Sequence, residues 1–212
     1  MGSNKCGLMK FKRKIIPDSN YKPNFITKKR FREDEINFND LRSYRLNRVK
    51  KELEKKNIEA CILFDPINVR YSLDTTNMSI YNMHNLTRYC FIPLNGPVIL
   101  YEYFNCEKLS NHLNLIDEVR PAITWDYFSN GDQANEQLNK WVKEVKDLTN
   151  SYSKNNKKLA IDVINGPAVT ALNESGLKIV DAKSILEQAR VIKSSEELKC
   201  MRASIDVAEI GI

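Results

Sequence analysis

The chain has 212 residues, 42% of them apolar and 28% charged, which is the make-up of an ordinary globule with room for one full-sized domain and some excess. No apolar run approaches the roughly 20 residues that a bilayer-spanning helix needs, so an integral membrane protein is excluded. The net charge of +6 suggests nucleic acid, but ten Lys and Arg fall in residues 1–32 against Asp18 alone, leaving 23 basic and 26 acidic side chains elsewhere. A mildly acidic body argues against a nucleic-acid surface.

Cys6, Cys61, Cys90, Cys106 and Cys200 are scattered, odd in number and without a CxxC pair. They read as reduced thiols in a cytoplasmic compartment, with neither a disulfide framework nor a zinc site. Residues 1–38 are expected to be a disordered basic tail, with Pro17 and Pro23 and no sustained periodicity. Its start, Met-Gly-Ser-Asn-Lys-Cys, comes close to a myristoylation acceptor, but Cys6 stands where Ser or Thr is wanted. The expectation is therefore no membrane partner, with acylation of Gly2 as the alternative.

From Asn39 or Asp40 the spacing of Leu41, Tyr44, Val49 and Leu53 predicts a capped amphipathic helix. Ile58 to Phe64 reads as a short strand covered on both faces. The stretch Phe64 to Phe91 breaks at Asp65-Pro66 and runs polar, studded with aromatics and amides. The residues leave two readings open: a surface loop satisfying its own backbone, or part of a binding site. Arg88 to Pro93 and Pro97 to Tyr103 are predicted strands joined by a hairpin at Leu94-Asn95-Gly96. Asn105 to Leu113 reads as a short helix and Glu118 to Trp125 as a strand. A longer helix, about Asp132 to Leu148, carries Leu138, Trp141, Val142, Val145 and Leu148 along one face. Ser151 to Lys157 is a polar connector, Lys158 to Asp162 a strand, Gly166 to Ser175 a helix and Leu177 to Val180 a sixth strand. Together these predict an α/β fold, a mixed six-stranded sheet flanked by helices.

A helix over Asp181 to Ala189 is followed by a new one capped at Ser194 or Ser195, with Leu198, Met201, Ile205 and Ala208 at helical spacing. That stripe has nothing sequential to pack on, so residues 191–212 are expected to begin a further domain absent from this chain.

Catalytic motifs are scarce. There is no Gly-rich phosphate loop, no G-x-S-x-G and no H-E-x-x-H. His84 and His112 are the only histidines, too few for a His-rich metal centre. The carboxylates are dispersed, and no residue is expected to be catalytic or a metal ligand.

Three stretches carry a resemblance: Arg45 to Leu53 (R-L-N-R-V-K-K-E-L), Phe64 to Tyr71 (F-D-P-I-N-V-R-Y) and Ala189 to Arg202 (A-R-V-I-K-S-S-E-E-L-K-C-M-R). In this order they resemble the N-terminal domain of the creatinase/prolidase family of pita-bread metalloenzymes, followed by the first helix of the catalytic domain. The resemblance covers about Leu41 to Ile212 and implies a creatinase N-terminal-like domain over residues 39–190, truncated before the pita-bread domain. Family members usually continue the second motif as N-x-x-Y-L-T-G-F. Here Asn68 to Met78 lacks the Gly-Phe, and Ile80 to Asn85 (I-Y-N-M-H-N) follows, similar to the branch that cleaves dimethylsulfoniopropionate to dimethyl sulfide and acrylate.

In that branch the position matching Tyr81 is an aromatic, typically Trp, that lines the substrate pocket of a dimer. The resemblance thus implies Tyr81, His84 and Arg88 as substrate-lining residues, a homodimer and a small-molecule substrate. It also implies two divalent transition metal ions held by Asp, Asp, His, Glu and Glu of the C-terminal catalytic domain, acting as Lewis acids. This chain alone is expected to be inactive. The alternatives are an Xaa-Pro aminopeptidase or prolidase fragment and a non-enzymatic pita-bread binding module.

Overall fold

The computed structural model describes residues 33–153 and 156–211. The basic stretch before Glu33, with Gly2 and Cys6, lies outside the described residues. Structure begins ahead of the expected Asn39: Glu33–Glu35 forms a single 3-10 turn, and helix α1 spans Phe38–Lys55. Its cap is Asn37, whose side chain accepts from the Asn39 and Asp40 amides and satisfies two otherwise unpaired donors.

Six strands follow as expected: β1 (Ala60–Leu63), β2 (Tyr89–Pro93), β3 (Ile99–Glu102), β4 (Glu118–Pro121), β5 (Lys158–Ile161) and β6 (Lys178–Asp181). They form one sheet in the order β4-β3-β2-β1-β5-β6. The β1–β2 and β2–β3 pairs are antiparallel and the other three are parallel, so β2 alone opposes its neighbours. The carboxyl ends of five strands therefore share one edge with the start of β2, an edge where open α/β sheets commonly bind ligands.

Alternation along the strands divides the core. Cys61, Leu63, Cys90, Ile92 and Leu100 pack beneath α1, α2 (Pro66–Leu73) and α7 (Lys183–Val191). Ile62, Phe64, Tyr89, Phe91 and Tyr101 pack with Trp141 and the rest of the buried stripe of α5 (Ala134–Tyr152), and with α6 (Gly166–Glu174). The α5 stripe is the one its spacing predicted, and all four β1 residues are buried from both sides.

Several elements depart from expectation. Half of Phe64 to Phe91 is helical, in α2 and a short α3 (Ser79–His84). Pro66 occupies the first turn of α2, where its missing N–H costs nothing, and Asp65 caps it by accepting from the Ile67 and Asn68 amides. The proline that ends the strand thus starts a helix. Asn105 to Leu113 contributes only a 3-10 turn, Glu107–Ser110. β4 stops at Pro121, and Trp125 reaches the core from a loop, its indole N–H donating to Asn165 Oδ1 at 3.2 Å. A four-residue helix α4, Tyr127–Asn130, precedes α5, which continues to Tyr152 into the expected connector.

The last helix, α8, spans Ser195–Gly211. Its first turn is tied to the body by Arg45 Nε to Glu197 Oε1 at 2.9 Å and by the Asn37 amide to Glu196 Oε2 at 2.7 Å. Leu198, Met201 and Ile205 remain exposed.

Candidate functional site

The helices α2 and α3 stand over the carboxyl edge of the sheet, held from below by buried polar groups. At the β5 end, Asp162 accepts from the Phe64 amide (2.8 Å), the Asp65 amide (3.2 Å) and Asn68 Nδ2 (2.8 Å), clipping the ends of β1 and β5 together. Burial pushes the Asp162 carboxyl above its ordinary value, and these donors pull the other way.

At the β2–β3 end, Arg88 and Glu102 pair at 2.8 Å with side-chain exposures of 2% and 0%. The Arg88 guanidinium also donates to Thr75 Oγ1 at 2.7 Å, which lies 2.6 Å from Ser110 Oγ. Glu102 Oε1 accepts from Asn77 Nδ2 (3.0 Å) and the Tyr103 amide (2.9 Å). Every oxygen of this buried carboxylate is therefore engaged, the condition under which a desolvated ion pair holds its geometry.

Asn82 is the one buried residue of α3. Its Nδ2 donates to the Asn77 carbonyl at 2.6 Å, and its Oδ1 accepts from the Tyr103 hydroxyl (2.6 Å) and Thr87 Oγ1 (3.1 Å). Burial raises the Tyr103 phenol, which keeps that hydroxyl a donor. Left-handed backbone at Asp74 (φ 57°) and Met78 (φ 42°) turns the chain between α2 and α3.

Tyr81, half-buried, has its ring centroid 6.3 Å from that of Tyr103. His84 is exposed at the end of α3 and lines a shallow pocket of about 280 Å3 with Leu86, Trp125, Asp126 and Asn165. Arg88 reaches no solvent. Its side chain is spent on Glu102 and Thr75, so it stands behind the α3 surface and does not line it. The network of Asn77, Asn82, Thr87, Glu102 and Tyr103 links Arg88 to α3, and Tyr81 meets it only through its ring contact with Tyr103, while His84 lies outside it. Glu102 and Tyr103 are not singled out by any motif in the sequence. Their signal is a lone carboxylate closing an apolar strand, Val98-Ile99-Leu100-Tyr101-Glu102, which implies a buried cation opposite. Among the described residues, no group of three or more His, Cys, Asp or Glu is placed to hold a metal ion.

A family model described as the Creatinase/Prolidase N-terminal domain matches residues 45–192. The chain is 29% identical over 172 residues to a dimethylsulfoniopropionate lyase, DddP, of Roseovarius nubinhibens, and 28% identical over 172 residues to its counterpart in Roseobacter denitrificans. These matches cover 81% of this chain but only 39% and 38% of the relatives' lengths. Among solved structures, a prolidase from Thermococcus sibiricus superposes with a TM-score of 0.54 at 17% identity, covering 74% of this chain and 39% of that one. An Xaa-Pro aminopeptidase from Streptococcus pyogenes gives 0.51 at 13%, covering 72% and 99%. These structural likenesses bear out the expected mixed six-stranded sheet with flanking helices. By the family match over most of its length, the chain belongs to the creatinase/prolidase family, as an N-terminal domain of that group.

Proposed function

We propose that this chain is the substrate-lining and dimer-forming N-terminal part of a metal-dependent pita-bread enzyme that cleaves dimethylsulfoniopropionate. The observation that carries the reading is the 29% identity to a dimethylsulfoniopropionate lyase over 81% of the chain. In this reading residues 39–190 are the domain, 191–212 begin the catalytic domain, and the two metal ions belong to that later domain. The residues described here do not by themselves fit a metal site. The four described cysteines are free thiols, in keeping with a cytoplasmic protein.

The chain's own contribution is placement. Tyr81 offers a π face to a sulfonium cation, an attraction worth about 0.5–2 kcal/mol depending on desolvation. His84 edges the adjoining pocket, and Arg88 with Glu102 fixes the backbone from which both project. Met78, Ile80 and Met83 are exposed apolar side chains around the same helix, a patch suited to cover by a second subunit.

The test is an assay of the intact protein carrying this domain. Release of dimethyl sulfide and acrylate from dimethylsulfoniopropionate is the expected result. Hydrolysis of Xaa-Pro peptides without dimethyl sulfide would transfer the domain to the peptidases. Turnover of neither substrate class would favour a binding role.

A further inference from the structure

A second concavity, sharing no lining residue with the His84 pocket, lies where α1, α2 and α7 meet α8. It measures about 580 Å3, in the size range of small-molecule sites, and its walls include Arg45, Tyr71, Arg190, Lys193, Met201 and Ile205. The Tyr71 ring is flanked by two guanidinium groups, Arg45 at 5.2 Å and Arg190 at 5.1 Å from its centroid. We propose that this pocket binds a small organic carboxylate with a compact apolar body.

The charges lining it are unbalanced. Three cations, Arg45, Arg190 and Lys193, face one carboxylate, Glu197, and that carboxylate is bonded to Arg45. Arg190 donates to the neutral amide of Asn68, and no ion pair is found for it among the described residues. The Lys193 ammonium is exposed and reaches only the Val191 carbonyl, at 3.4 Å, among the described residues. Tyr71 adds no compensating charge. Its hydroxyl donates to the Ala189 carbonyl at 3.0 Å, and burial lifts the phenol to about 12.

The arrangement is also preorganised. The Arg190 guanidinium carbon lies over the Tyr71 ring, and among the described residues only its Nη2 is bonded, to Asn68, which leaves Nε and Nη1 as donors for a carboxylate. Asn68 holds the same guanidinium through Oδ1, and the Asn68 amide is oriented by its bond to Asp162. Arg190 closes α7, Lys193 lies in the link to α8, and Met201 and Ile205 of α8 supply the apolar wall. A ligand held here would bridge the sheet domain to α8. Carboxylate is favoured over phosphate because the apolar wall and a modest cation excess suit a single charge carried on a hydrocarbon body.

The test is titration of the 212-residue chain with benzoate, its neutral isostere benzamide and inorganic phosphate, followed by calorimetry. Saturable binding of benzoate, with benzamide at least about tenfold weaker, is expected from the loss of charge-assisted hydrogen bonds. Lys193→Met, at an exposed position that leaves folding intact, should weaken benzoate by about tenfold, and Arg190→Lys should weaken it by removing the fork. Benzamide binding as tightly as benzoate, or benzoate binding unchanged in both variants, would overturn the site. Phosphate binding as tightly as benzoate would overturn the assigned ligand class. None of these outcomes depends on the lyase reading, because Tyr81, His84 and Arg88 are not involved.

Discussion

Arg88 and Glu102 stand directly opposite each other, one position beyond the Tyr89–Tyr101 pair of the β2–β3 ladder, with Nε and Oε2 2.8 Å apart and both side chains out of water. Two charges this deep are costly to desolvate, and they persist here because Thr75, Asn77 and the Tyr103 amide complete their hydrogen bonds. The pair thereby ties the turn between α2 and α3 to the sheet edge.

Removing one partner strands the other. Arg88→Met is expected to cost about 3–5 kcal/mol, since Glu102 is left buried and uncompensated. Arg88→Met combined with Glu102→Leu should recover most of that loss. Urea unfolding of the three proteins checks both statements, and a double variant no more stable than the single one would contradict them.

Tyr81 is half-buried and accepts or donates no hydrogen bond in the Asn82 network, so Tyr81→Ala should leave stability within about 0.5–1 kcal/mol. Under the proposed function, the same change in the intact protein should lower turnover of dimethylsulfoniopropionate by roughly tenfold through loss of the cation-attracting face, and Tyr81→Trp should retain it. Steady-state kinetics with unfolding curves separate the two effects.

Asp162 provides the pH test. Its carboxyl lies above the ordinary 3.8 in the folded protein, so the folded state takes up the proton more readily than the unfolded chain. Its contribution is therefore largest below pH 3.8 and is lost as pH rises through the folded value. The stability of wild type relative to Asp162→Asn should decline with rising pH across that window. Asp162→Ala should cost about 2–4 kcal/mol at low pH, where the contribution is largest, and less on the same pH slope above it, because the Phe64 and Asp65 amides lose their acceptor.

Gly96 in the β2–β3 hairpin has φ +134°, and a Cβ there would fall 2.5 Å from Cδ1 of Tyr152. Gly96→Ala is expected to cost about 2–3 kcal/mol from strain plus collision. Gly131, with φ +52° and open space around it, should lose about 1–2 kcal/mol on the same change. Thermal melts rank the two, and adding Tyr152→Ala to the Gly96 variant should restore part of the loss.

The elements read correctly from sequence are those with strong local period. The α5 stripe of Leu138, Trp141, Val142, Val145 and Leu148 is buried as its spacing required, and the Asn95-Gly96 hairpin joins β2 and β3. Phe64 to Phe91 shows no helical period because its two helices span only eight and six residues. Only the α2 cap, Asp65-Pro66, carries a local signal, and Pro before a polar stretch suits a loop as well as a first helical turn. Glu33–Glu35 and α4 are single turns, too short for any period to show.

The candidate site divides along the same line. Tyr81, His84 and Arg88 share a short stretch of sequence and look equivalent there, as a ring, an imidazole and a cation. Their burial separates them. Arg88 is withdrawn because Glu102, fourteen residues on, is carried back beside it by the antiparallel turn.

The six strands, the mixed sheet and the helices α7 and α8 are legible along the chain, because period and turn chemistry act between residues close in sequence. Which polar residues meet is settled by the folded chain: Arg88 with Glu102, Asn68 with both Asp162 and Arg190, and Tyr71 between Arg45 and Arg190. These partners are up to 122 residues apart. The long-range encounters among them depend on strand order and on the antiparallel β1–β2 pairing, which no local pattern specifies.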